Sequence, residues 1–80
     1  MAREILSTDA LLEVLNRELS RFDACNDCRF TSITRIRGTD EAGCNWSQAN
    51  LRCSGQPTDV CQPAAAQVIS QTKAKYNIKQ

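Results

Sequence analysis

Histidine is absent from this chain of 80 residues, and glycine, proline and aromatic residues are scarce. Without histidine, the Ser-His and Cys-His catalytic pairs are excluded, together with zinc sites that use imidazole. No apolar run approaches the roughly 20 residues that cross a bilayer. The three glycines form no phosphate-binding loop. Polar and acidic residues occupy the start of the chain where a signal peptide is apolar, so we expect a cytoplasmic protein.

An excess of one charge is also missing, since ten Lys and Arg residues face nine Asp and Glu residues. The whole chain is therefore not a polycation of the kind that coats nucleic acid. The distribution is uneven, because residues 29–37 contain arginines and no acid, whereas residues 1–28 are acidic overall. Such a basic segment is typical of a solvated strand face, and alternatively of a phosphate-binding surface.

Hydrophobic periodicity predicts two helices around a hairpin. A first helix is expected from about Thr8 to Phe22, because its apolar residues recur at helical spacing on one side. Residues 30–37 and 44–53 have strand composition and flank a glycine-bounded turn, which predicts an antiparallel hairpin. Pro63 suits the first position of the second helix.

The expected fold class is α+β. We predict one small domain, residues 1–80, of α-β-β-α order, with a two-stranded antiparallel hairpin packed against two helices. Residues 1–7 and 79–80 are expected to be frayed termini. A two-stranded sheet is weak by itself and has free edges, which favours self-association as a homodimer or binding to another protein.

The register of the hairpin determines where its only tryptophan lies. Pairing Arg37 with Cys44 places Phe30 opposite Leu51 and directs Trp46 to the other face of the sheet. A bulge or a one-residue slip would instead move Trp46 to the core face. Both arrangements stay open at this stage.

The cysteines are the richest source of chemistry in the chain. Cys28 enters the first predicted strand and Cys53 leaves the second, so the two meet at the same end of the hairpin. Cys25 is close to Cys28 in sequence, and Cys61 follows a loop short enough to return. We therefore predict a structural zinc site formed by four thiolates, those of Cys25, Cys28, Cys53 and Cys61. Cys44 lies at the turn end and is left over.

Three other interpretations of the cysteines compete with zinc. In the first, the cysteines are partly buried reduced thiols. In the second, they form disulfides, Cys28–Cys53 or Cys25–Cys61, although an odd cysteine count in a cytoplasmic chain argues against this. The third interpretation is a thiol-disulfide redox protein. Its CxxC sequence follows a helix instead of opening one and is flanked by acids, both of which oppose a reactive thiolate.

The sequence thus predicts a small non-enzymatic interaction module, with an unknown protein partner or a second copy, one structural zinc and no membrane. The first candidate binding surface is the hairpin face with Arg35, Arg37 and Trp46, where the indole beside an arginine stacks on a base or a partner side chain. Alternatively Trp46 is a core residue. A nucleic-acid-binding accessory protein that uses the basic hairpin is the alternative function, although no helix-turn-helix, RRM or zinc-finger pattern supports it.

Overall fold

The structure is a computed structural model that describes residues 4–41, 43–55 and 57–79. The elements in chain order are β1 (Glu4–Leu6), α1 (Thr8–Leu19), a 3₁₀ turn (Asp23–Cys25), β2 (Cys28–Arg35), β3 (Trp46–Cys53), α2 (Thr58–Lys73) and β4 (Tyr76–Ile78). The predicted α+β class is confirmed, and a short parallel pair of β1 with β4 accompanies the antiparallel hairpin.

The two ends of the chain differ from the expectation. Among the residues predicted to fray, 1–3 and 80 lie outside the described residues, while 4–6 form β1. The Lys79 backbone N–H donates to the Leu6 carbonyl at 2.7 Å, which extends the β1–β4 pairing. The described ends are therefore tied to each other by backbone hydrogen bonds.

Helix α1 begins at the predicted residue. Its N-cap is Ser7, whose hydroxyl accepts a hydrogen bond from the Ala10 backbone N–H at 3.2 Å. The helix ends at Leu19 and not at Phe22, because Phe22 becomes the N-cap of the 3₁₀ turn, which buries Cys25. The predicted apolar side is buried as expected: Leu11, Leu15 and Leu19.

Helix α2 begins at Thr58, so the predicted start at Pro63 is wrong. Proline inside a helix has no N–H for the carbonyl four residues earlier, here that of Asp59. Asp59 is exposed, which lets water take this hydrogen bond. The earlier start places Cys61 within the helix, where it is fully buried.

The hairpin keeps the predicted register at its open end, with Cys28 opposite Cys53. Two irregularities, one in each strand, shift the ladder by one residue and then restore it. Between them Ile33 pairs with Ala49, and beyond the second one Trp46 turns into the core. The bulged arrangement is thus the one that the chain adopts.

Both helices cover the same face of the hairpin. Helix α1 packs on β2, α2 packs on β3, and the helices contact each other above the sheet. The covered face carries Phe30, which is buried, and the half-buried Leu51 opposite it. On the opposite face, neither of the helices in the described part of the chain is packed, and the side chains are exposed: Arg29, Ser32, Thr34, Gln48, Asn50 and Arg52.

Two asparagine side chains close strand edges. Asn16 of α1 accepts from the Phe30 backbone N–H at 2.7 Å and donates Nδ2 to the Phe30 carbonyl at 3.1 Å. Asn45 makes the same pair of bonds with Ile78, both at 2.8 Å. Each carboxamide bonds to the backbone as a neighbouring strand would. It gives hydrogen-bond partners to N–H and C=O groups that would otherwise be buried without one. The first ties α1 to the outer edge of β2, and the second ties β4 to the turn end of the hairpin.

Candidate functional site: the cysteine cluster and the hairpin surfaces

The four cysteines predicted to converge do meet at the open end of the hairpin. Cys25 arrives on the 3₁₀ turn after α1, and Cys28 and Cys53 are opposite each other at the ends of the two strands. Cys61 comes from the first turn of α2. The structure joins them as two disulfides, Cys25–Cys61 and Cys28–Cys53, with Cα–Cα distances of 4.9 and 3.9 Å. These are the two pairings that the disulfide interpretation named.

The sulfur atoms of the two bridges form one compact group. The Sγ atoms of Cys28, Cys53 and Cys61 all lie within 4.8 Å of one another, and Cys25 is bonded to Cys61. In a tetrahedral thiolate site, zinc–sulfur bonds of about 2.3 Å place the sulfurs about 3.8 Å apart. Three of the four sulfurs are therefore near enough to one another to bind one ion, and the fourth is bonded to one of them.

The fifth cysteine is separate from this group, as its position at the turn predicts. Cys44 is a free, fully buried thiol whose Sγ donates to the Trp46 carbonyl at 3.3 Å. Its backbone N–H donates to the Asp40 carboxylate at 2.9 Å. Cys44 therefore helps to shape the turn and lies in the core.

The two cysteines of the CxxC sequence are not bonded to each other. Cys25 is bonded to Cys61 of α2, whereas Cys28 is bonded to Cys53 of β3. A redox-active CxxC of the thioredoxin kind cycles between a dithiol and a disulfide inside the motif. The cluster as bonded holds four elements of the fold together: the 3₁₀ turn, β2, β3 and α2.

The predicted binding surface of Arg35, Arg37 and Trp46 divides into two parts. Trp46 must be removed from it, because its side chain is 0% exposed and its Nε1 donates to the Tyr76 carbonyl at 3.1 Å. Arg35 and Arg37 are exposed and line a cavity of about 310 Å³ beside Ile78. The core interpretation of Trp46 is the one that the structure supports.

The remaining arginines of the hairpin lie away from this cavity. Arg29 and Arg52 are directly opposite each other on the uncovered face of the sheet, both exposed. Arg35 instead donates to the Thr8 hydroxyl at 2.9 Å, towards the start of α1. Since a strand advances about 3.3 Å per residue, roughly 20 Å separate positions 29 and 35 along β2. The arginines of the hairpin therefore form two separate pairs, Arg29 with Arg52 and Arg35 with Arg37.

A groove between β3 and α2 was not predicted from the sequence. It has a volume of about 540 Å³ and is lined by both elements. The alternating polarity of the β3 residues indicates which face of the strand is covered. It does not indicate which strand edge α2 leaves open. That information depends on the packing of the helices and has no local sequence signal.

Within the described ranges, neither helix is long and apolar enough to cross a membrane. Comparison of the chain with protein-family models, with curated proteins and with solved structures finds no match. Function is therefore inferred from the residues and their geometry.

Proposed function

We propose that this protein is a small, non-enzymatic interaction module of the cytoplasm. The observation that carries the proposal is the asymmetry of the hairpin, which both helices cover on one face only. An uncovered two-stranded sheet is a weak unit with hydrogen-bonding groups and side chains available to a partner. The cysteine cluster links the open end of this hairpin to the 3₁₀ turn and to α2.

The disulfide pattern argues against a thiol-disulfide redox function. Because Cys25 and Cys28 are bonded to other elements, reduction of either bridge loosens the fold instead of generating an isolated redox dithiol. Disulfides arranged in this way have a structural role and are poorly suited to a catalytic redox cycle.

We further propose that zinc replaces the disulfides when the protein is reduced. A dithiol reductant supplies two electrons and two protons to each bridge and is itself oxidised to a disulfide, which leaves four thiols. As the thiols bind one zinc ion, their four protons are released to solvent. In the reducing cytoplasm the cluster then holds metal, whereas an oxidising compartment keeps the bridges.

The interaction proposal is tested by the size of the native complex. In extracts of its own cells, separated by gel filtration at physiological salt, the protein is expected in a fraction larger than its 8.9 kDa chain. Cross-linking before lysis distinguishes a second copy from a different protein. Recovery only as a monomer, with and without cross-linking, would contradict the proposal.

Nucleic-acid binding is the second candidate, and the pair formed by Arg29 and Arg52 favours it. Like charges directly opposite each other in a sheet are destabilising, and a bound phosphate would relieve that repulsion. Neither arginine forms an ion pair with another described residue. We expect affinity for single-stranded DNA to fall steeply with salt, and to be lost in the Arg29→Ala, Arg52→Ala double variant.

The pair of arginines at the turn end of the hairpin supplies the control. The Arg35→Ala, Arg37→Ala double variant removes the same charge from the surface near Ile78. Equal losses of DNA affinity in both double variants would indicate general electrostatic attraction. A loss only in the Arg35→Ala, Arg37→Ala variant would assign the DNA contact to the turn end of the hairpin. Binding that does not change with salt would exclude the nucleic-acid function.

A further inference from the structure

The groove between β3 and α2 lies next to a strand edge and has a volume of about 540 Å³. The hairpin contributes apolar side chains to its floor, Phe30, Ala49 and Leu51, and polar ones beside them, Ser47, Gln48 and Asn50. Its wall comes from α2, which adds Ala65, Ala66 and Ile69 together with the polar Gln62 and Ser70. Lys73, which also lines it, is paired with Asp40 at 3.4 Å, so the groove is close to neutral.

The hydrogen bonds of the hairpin show which backbone groups of β3 point into open space. Both backbone groups of Phe30 bond to Asn16, so they point away from β3, and Phe30–Leu51 is a non-hydrogen-bonded pair. The Ser54 N–H donates to the Asp27 carbonyl at 2.9 Å, so this pair is hydrogen-bonded. Counting along the ladder from this pair also makes Phe30–Leu51 a non-hydrogen-bonded pair.

In a non-hydrogen-bonded pair the backbone groups point away from the partner strand. The N–H and C=O groups of Leu51, and of Ala49 two residues away, therefore point away from β2. Outside the β2–β3 ladder, the described part of the chain supplies no hydrogen bond to either residue. These groups lie along the groove, where they present the pattern that an additional strand recognises.

The two edges of the hairpin therefore differ. The outer edge of β2 is closed at Phe30 by the Asn16 carboxamide. Among the described residues, no side chain closes the outer edge of β3 in this way, and the groove lies between that edge and α2. An edge of this kind, next to a helix, accepts an extended peptide by strand addition.

A second copy of this chain fits the edge less well than a separate peptide. An isologous pair of β3 strands would be antiparallel about a two-fold axis perpendicular to the sheet. That axis places the α2 helix of the second copy on the same face, where the first α2 already lies. An extended segment without a helix over it avoids this collision.

We propose that the groove binds an extended, uncharged segment of another polypeptide, which adds to β3 as a third strand. Its backbone pairs with Ala49 and Leu51, and alternate apolar side chains enter the space between Phe30 and α2. Polar side chains at the other positions continue the uncovered face. The inference rests on the proposed interaction function and specifies the surface and the class of partner.

The probes are short blocked peptides in which Val, Ile or Leu alternates with Thr. We expect several of them to shift the ¹H–¹⁵N resonances of Ala49 and Leu51 and to slow exchange of these amides about tenfold. The same peptides N-methylated at alternate backbone nitrogens lack the donors of one edge and should not bind. Protection centred elsewhere, or no binding by any peptide, overturns the inference.

Two substitutions on α2 provide a matched comparison. Ala66→Arg places a long side chain in the groove, whereas Gln67→Arg adds the same charge at a neighbouring exposed position that does not line it. The first is expected to weaken peptide binding about tenfold or more, and the second by less than about twofold. Equal effects in the two variants, at unchanged melting temperature, contradict the proposed site.

The concentration dependence of the free protein separates the remaining outcomes. If the Ala49 and Leu51 amides become protected without peptide as the protein is concentrated, a second copy occupies the groove and the inference is wrong. If no peptide binds while the native protein still migrates in a larger complex, this inference alone fails. If the larger complex is also absent, the interaction function fails with it.

Discussion

Reduction in the presence of a chelator is expected to unfold the protein, and zinc added afterwards is expected to refold it with one metal ion per chain. The disulfides close segments with sequence separations of 36 and 25 residues. Loop-closure entropy assigns about 3–4 kcal/mol to each bridge taken alone. Because one loop lies inside the other, the two together contribute about 6 kcal/mol, which is less than their sum.

The size of the core decides the outcome of reduction. In a chain of this length, apolar burial minus the entropy cost of ordering the residues comes out near zero, and small domains depend on disulfides or a metal for their stability. Loss of both bridges, about 6 kcal/mol, therefore leaves too little net stability to hold the fold. Structural zinc contributes an apparent binding free energy of about 10–16 kcal/mol in small thiolate domains, which is enough to restore the fold.

Far-UV circular dichroism and native mass spectrometry measure the two steps. The protein is reduced with a phosphine, first with a chelator and then with excess zinc. Cys44→Ala is the control, because Cys44 lies outside the cluster and all four ligands remain. A native spectrum in the reduced, metal-free state would mean that the core alone holds the fold. If the reduced protein unfolds and added zinc does not refold it, the proposal that zinc replaces the disulfides is wrong.

Elements with a long, regular pattern could be predicted from the sequence. The leucine stripe predicts α1 because three buried residues at helical spacing define one side of a helix. The meeting of Cys28 and Cys53 follows from the length of two strands joined by one turn. The convergence of the cysteine cluster is thus a consequence of chain geometry. Whether it carries bridges or metal depends on redox conditions, which the sequence does not encode.

Features that depend on distant contacts could not be predicted. Strands β1 and β4 have three residues each and pair across almost the whole chain, so neither has a recognisable pattern of its own. Helix α2 starts at Thr58 and carries Cys61, bonded to Cys25, in its first turn, whereas the local preference of Pro63 for a first turn predicts a later start. The orientation of Trp46 depends on an irregularity in the ladder, a one-residue event that composition does not reveal.

Replacement of Trp46 is expected to cause the largest loss of stability among single core substitutions outside the cysteine cluster. The side chain is fully buried, and Trp46→Ala removes its packing and leaves the Tyr76 carbonyl without the indole N–H. Deletions of this kind cost about 3–5 kcal/mol. In a domain of this size the melting temperature should then fall by more than about 15 °C, measured by calorimetry under non-reducing conditions.

Two further substitutions separate the contributions of the indole and test its placement. Trp46→Phe keeps most of the apolar volume and loses the hydrogen bond, so we expect a smaller loss of about 1–3 kcal/mol. Gln48→Ala, on the uncovered face, should change stability by less than about 0.5 kcal/mol. If Trp46→Ala melted like the parent protein and instead lost binding to a partner, the indole would belong to the surface with Arg35 and Arg37. The buried position predicts the opposite, because the Nε1–Tyr76 bond and the Asn45 fork on Ile78 together attach β4 to the hairpin.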